Sequence, residues 1–79
     1  MDREEILKTV QETVMQITGR EDCSPEMDLM EEAGLSSIEV MRLLSALEDR
    51  FGVKIPSRDL RFVATVEDMA DLVLKKQKK

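Results

Sequence analysis

Apolar residues recur at helical intervals through three separate stretches of this chain, and only one short run alternates as a strand would. Helices are therefore the regular elements from which it can build a core. Between Asp2 and Thr18, the residues Ile6, Leu7, Val10, Val14 and Ile17 fall along one stripe of a helix. Asp2, Glu4 and Glu5 occupy its first turn, where the positive end of the helix dipole favours carboxylates, and Gly19 supplies the stop. A second helix starts at Ser36, because Glu39 follows at the spacing of a capping box. Stepping by about 100° per residue gathers Val40, Leu43, Leu44, Leu47 and Phe51 on its inner side. Thr65 and Asp68 repeat the capping pattern ahead of Val66, Met69, Ala70 and Val73, which line the inner face of a last helix.

The intervening segments are less regular. Phe51, Val53 and Ile55 alternate, but no second run exists to pair with them and Pro56 ends the pattern, so an extended connector is expected. Ser57 to Phe62 predicts a short helix capped by Ser57 that turns Leu60 and Val63 inward. Residues 20–36 form a long connection, anchored by Leu29, with a single helical turn starting at Ser24-Pro25. The expectation is an all-α four-helix bundle: three main helices and a short one, with a long loop between the first and second. At 79 residues it reads as a single domain over 1–79 with a thin core, ending in a frayed lysine-rich tail at 75–79.

Composition narrows the chemistry. Histidine is absent, which removes the commonest general base and the commonest metal ligand, so neither a catalytic triad nor a zinc site is expected. The single Cys23 can form no internal disulfide, and the expected location is the reducing cytoplasm. No apolar run approaches the ~18 residues of a membrane span, and the charged start Met1-Asp2-Arg3-Glu4-Glu5 precedes no apolar signal core. Residues 1–74 carry a net charge of −9, against +4 from Lys75, Lys76, Lys78 and Lys79. An acidic body with two phenylalanines and no tyrosine or tryptophan argues against nucleic acid and for a basic protein partner. On the second helix, Ile38 and Met41 lie well round from the core seam, on a face shared with Ser37, Ser45, Glu48 and Asp49. Ile38, Met41, Glu48 and Asp49 are the expected partner-docking residues.

No catalytic apparatus is left, but a serine hydroxyl stands at the start of a helix. Such a hydroxyl suits a phosphodiester, because unpaired backbone N–H groups and the dipole both favour negative charge there. The alternative is that Ser36 and Ser37 only cap the helix.

The register around these serines adds a resemblance. Gly34-Leu35-Ser36-Ser37-Ile38-Glu39, then Leu47-Glu48, then Phe51-Gly52-Val53-Lys54-Ile55-Pro56 closely resembles the acyl carrier protein family, from about Leu29 to Thr65. Members of that family read Gly-Leu-Asp-Ser-Leu at the modified serine, with Leu-Glu and Phe-Gly-Ile-x-Ile-Pro further along. The resemblance implies that Ser37 carries 4′-phosphopantetheine, transferred from coenzyme A by a phosphopantetheinyl transferase, with acyl or polyketide intermediates held as thioesters on the arm's thiol. It implies a monomeric, non-enzymatic carrier whose partners are acyl-transferring and condensing enzymes with basic docking surfaces. By family register, Leu29, Leu43, Leu47, Ile55, Leu60 and Val63 are candidates to shelter an acyl chain. Three positions depart from the pattern. Ser36 replaces the usual aspartate, which makes it a second candidate acceptor, and Arg42 and Arg50 stand where fatty-acid carriers typically show acidic residues. A peptidyl or aminoacyl carrier, or an unmodified interaction subunit with the same fold, are the competing readings.

Overall fold

The computed structural model describes residues 2–77. Its elements are α1 (Arg3–Thr18), α2 (Ser37–Phe51), the 3₁₀ helix η1 (Ser57–Phe62) and α3 (Val66–Gln77), with no strand among the described residues. The all-α architecture of three main helices and one short one is as the sequence predicts.

Each main helix starts where a side chain can satisfy its free N–H groups. Asp2 caps α1 by accepting from the Glu5 N–H at 3.0 Å. Ser36 and Glu39 close the capping box of α2: Ser36 Oγ accepts from the Glu39 N–H at 3.2 Å, and Glu39 Oε1 accepts from the Ser36 N–H at 3.0 Å. Thr65 Oγ1 accepts from the Asp68 N–H at 3.2 Å, while Asp68 Oδ2 accepts from the N–H groups of Ala64 and Thr65 at 3.0 and 3.1 Å. Gly19, at φ 75°, ends α1 in the left-handed region with its N–H donating to the Met15 carbonyl.

The buried stripes meet in one core. Ile6, Val10 and Val14 of α1, Leu43, Leu44 and Leu47 of α2, and Val66, Met69, Ala70 and Val73 of α3 pack together with Leu29, Leu35 and Ile55 from the connections. Phe51, expected in this core, is only half-buried and packs against its edge. Arg3 ties the start of α1 to α3, its Nε donating to Asp71 Oδ1 at 2.6 Å.

Three expectations are corrected. Ser57 does not cap η1: Pro56 holds that position without a side-chain hydrogen bond, and the element is a 3₁₀ turn with no fully buried residue, although Leu60 and Val63 do rest against the core. Ser24-Pro25 starts a hydrogen-bonded turn, Met27 N–H to the Ser24 carbonyl at 3.2 Å, and no helix. Lys75 to Gln77 are helical where fraying was expected, and Lys76 Nζ pairs with Asp59 Oδ2 at 2.9 Å, fastening η1 to α3; Lys78 and Lys79 lie outside the described residues.

The cap at Asp68 makes a pH prediction. The Ala64 and Thr65 N–H groups stabilise its ionised form and hold the carboxyl below the usual carboxylate range. Because its folded pKa lies below the unfolded value of about 3.9, its contribution to stability is present above that value and is lost as pH falls through the folded pKa. Asp68→Asn should therefore lower the urea midpoint near neutral pH and converge with the parent chain at a pH low enough to protonate the folded carboxyl. An equal gap at both pH values would contradict this.

Candidate functional site

The long connection between α1 and α2 is what presents the second helix. Its backbone pairs with the entry to α3: the Leu29 N–H donates to the Ala64 carbonyl at 2.9 Å, the Val66 N–H to Met27 at 3.0 Å and the Glu67 N–H to Pro25 at 2.9 Å. Asp28 folds the next turn, its Oδ1 accepting from the N–H groups of Met30 and Glu31 at 2.9 and 2.8 Å. Cys23, Met27, Leu29, Ala33 and Leu35 are buried, so the segment is an irregular wall of the core. Gly34 then turns the chain at φ 77°, a conformation that side chains with a Cβ rarely adopt. Leu35 drops into the core, and its N–H donates to the Leu29 carbonyl at 3.0 Å. The outcome is that Ser36 caps α2 and Ser37 opens its first turn, exposed.

The two serines therefore differ. Ser36 Oγ is occupied by the Glu39 amide, whereas the Ser37 hydroxyl makes no intramolecular hydrogen bond among the described residues. The N–H groups of Ser37 and Ile38 also lack protein partners among the described residues, as expected in the first turn of a helix. The free hydroxyl of Ser37 can accept a phosphodiester, which would find there unpaired donors and the favourable dipole end. These residues fit such a group.

Ser37 stands at the rim of an open groove of about 460 Å³ between α2, η1 and the 28–31 turn. Leu29, Val40, Met41, Leu60 and Val63 form its apolar wall, and Asp28, Glu31 and Arg61 supply charge. The six residues expected to form a shelter are thus split: Leu29, Leu60 and Val63 face the groove, while Leu43, Leu47 and Ile55 belong to the packed interior and not to the wall of this groove.

The four expected docking residues also differ in setting. Ile38 is 70% exposed and Met41 43% exposed, large values for apolar side chains on a capped helix. Asp49 is exposed and makes no ion pair among the described residues. Glu48 is half-buried and does structural work, its Oε2 accepting from the Ile55 N–H at 2.8 Å and so fixing the connector after α2. Sequence periodicity had no means of revealing that contact, which depends on where the chain returns after Gly52.

Cys23 stands apart from this site. Its thiol is buried, and desolvation pushes its pKa up, so the sulfur is a poor nucleophile at neutral pH. The backbone carbonyl of Cys23 accepts from Gln11 Nε2 at 2.6 Å, which holds the loop against α1. No cluster of three or more potential metal ligands occurs among the described residues, and no described helix is long and apolar enough to cross a membrane.

Known proteins resemble this chain over most of its length. A family model described as "Phosphopantetheine attachment site" matches residues 8–73. The chain is 34% identical to the acyl carrier protein of Rubrobacter xylanophilus, covering 98% of each. It is likewise 34% identical to the acyl carrier protein of Myxococcus xanthus, over 90% of this chain and 92% of that one. The crystal structure of an acyl carrier protein from Thermotoga maritima superposes with a TM-score of 0.81 at 28% identity, covering 99% of this chain and 93% of the other. A match over most of the length, together with the shared helical fold, shows that this chain belongs to the acyl carrier protein family and carries acyl groups on a phosphopantetheine arm.

Proposed function

We propose that Ser37 is the residue that bears the arm, and that the chain acts as a carrier between partner enzymes without catalysing a reaction itself. The observation that carries this assignment is the contrast between the two serines: the Ser36 hydroxyl is committed to the helix cap, and the Ser37 hydroxyl is exposed and free. When attached, the arm supplies a terminal thiol that holds acyl or polyketide groups as thioesters; the chain's residues supply the rest. Ser37 anchors, the N–H groups of Ser37 and Ile38 balance the phosphodiester charge, and the apolar groove wall offers a surface to an acyl chain. Intact mass spectrometry after incubation with coenzyme A and a broad-specificity phosphopantetheinyl transferase tests the assignment. A gain of one cofactor mass is expected, and no gain would overturn it.

Partner docking is assigned to the α2 face that presents Ile38 and Met41, with Asp49 and Glu48 as its acidic component. The support is the exposure of both apolar side chains beside Ser37 and the absence of an ion-pair partner for Asp49 among the described residues. Partners of this kind are phosphopantetheinyl transferases and acyl-transferring or condensing enzymes with basic surfaces, met in the cytoplasm by a monomeric carrier. Arg42 and Arg50 oppose the steering field on the same helix, so attraction should be weaker than for a uniformly acidic α2. Asp49→Lys should slow loading by a transferase about two- to tenfold at low salt, with the difference vanishing as ionic strength rises. A deficit independent of salt would rule out electrostatic docking at this position. Asp49 is preferred to Glu48 for this test because reversing Glu48 would also release the Ile55 N–H.

A further inference from the structure

Two neighbours on η1 are unexplained by packing. Phe62 is 73% exposed, the most exposed of the chain's large apolar residues among those described. Arg61, like Arg42, Arg50 and Arg58, has no carboxylate within ion-pair distance among the described residues. The two are joined to each other, the Arg61 guanidinium carbon lying 5.0 Å from the centroid of the Phe62 ring. A cation over an aromatic face at that distance is attracted and partly ordered. Phe62 thus restrains the guanidinium without neutralising it.

Arg61 also lines the groove at whose rim Ser37 stands. Of the three charged residues in the groove wall, Asp28 and Glu31 are anionic and lie on the loop side, and Arg61 is the cation on the η1 side. Asp28 Oδ1 is held by two backbone N–H groups, which fixes its negative charge in place. An anion tethered at Ser37 is repelled from the 28–31 turn and drawn toward η1. The planar fork of a guanidinium is well suited to phosphate oxygens.

We propose that Arg61 binds the phosphodiester of the arm and lays the arm against the η1 side of the groove, with the Phe62 ring as the platform that orders the guanidinium. This rests on Ser37 as the attachment residue. It accounts for an exposed aromatic ring and an unpaired arginine with one function.

The test uses the ¹⁵N-labelled chain, loaded with coenzyme A by a broad-specificity phosphopantetheinyl transferase and checked by intact mass. The Nε–Hε resonance of Arg61 is compared before and after loading. Arg58, on the same element but outside the groove wall, serves as the internal control. Loading should move the Arg61 resonance and leave Arg58 in place, and raising the salt from about 0.05 to 0.5 M should reduce that movement roughly two- to fivefold, as for a screened surface ion pair. With arm amides labelled, Arg61→Met should raise the arm's mobility, Arg61→Lys should restore part of the restraint, and Phe62→Leu should weaken it. All three variants should still gain one cofactor mass and retain the parent amide spectrum, since both side chains are exposed. A loaded chain in which Arg61 does not move, moves together with Arg58, or moves independently of salt overturns the role of Arg61 alone. A parent chain that gains no cofactor mass overturns the Ser37 assignment and this proposal with it.

Discussion

Ser37→Ala should abolish the gain of one cofactor mass on incubation with coenzyme A and a phosphopantetheinyl transferase, whereas Ser36→Ala should still be modified. The expectation is all-or-none because the reaction needs a free hydroxyl, and alanine has none to offer. Loss of loading in Ser37→Ala would not reflect unfolding. Ser37 is exposed and its hydroxyl bonds to nothing within the chain among the described residues, so the substitution should change stability by less than about 0.5 kcal/mol. Ser36→Ala carries the opposite signature. It removes the oxygen that accepts from the Glu39 N–H and should cost about 1 kcal/mol of stability, yet leave the acceptor in place. The two variants therefore separate folding from modification in opposite directions. Intact mass and thermal melts on the same samples read both. Modification persisting in Ser37→Ala would refute the assignment and move the acceptor to Ser36.

Sequence reasoning was sufficient where the pattern is local. The capping boxes at Ser36 and Thr65, the glycine stop after α1 and the buried stripes of the helices are local patterns, and each is present as the spacing implies. Family register offered Ser37 as the attachment residue through the Gly34-Leu35-Ser36-Ser37 run and the Phe51-Gly52 and Ile55-Pro56 pairs downstream, and the structure leaves that residue exposed. What stayed hidden depends on distant parts of the chain meeting. The pairing of residues 25–29 with 64–67 leaves no periodic signature, because it is made by backbone groups. Lys75 and Lys76 read as tail from composition, but both lie in α3 and Lys76 pairs with Asp59, which only the fold brings within reach. Ser57 has the right residue type for a cap, yet Pro56 before it takes the capping position, and the turn that forms is too tight for an α-helical N-terminus. The six shelter candidates all have the composition of a core, and composition alone could not divide those facing the groove from those facing the interior.

That division has the largest consequence for stability. Leu47 is fully buried between the main helices, and Leu60 is half-buried on η1 at the groove. Truncating a buried leucine costs about 2–5 kcal/mol, through lost transfer energy and the cavity left behind. A domain of 79 residues has a total stability of only about 4–12 kcal/mol at 0.05–0.15 kcal/mol per residue, so Leu47→Ala removes a large share of it. Its melting temperature should fall by roughly 10 °C or more, given about 4–8 °C per kcal/mol at this size. Leu60→Ala should cost less than half as much, because a groove wall open to solvent leaves no closed cavity when a side chain is shortened. The functional effects should run the other way. Leu60→Ala alters the surface offered to the acyl chain with the core intact, so it should loosen a bound chain at temperatures where Leu47→Ala is already unfolding. Thermal melts of the loaded and unloaded forms of each variant supply the comparison. Equal losses of stability from the two substitutions would mean that η1 is as much a part of the core as α2, and that the groove is merely a dent in a continuous interior.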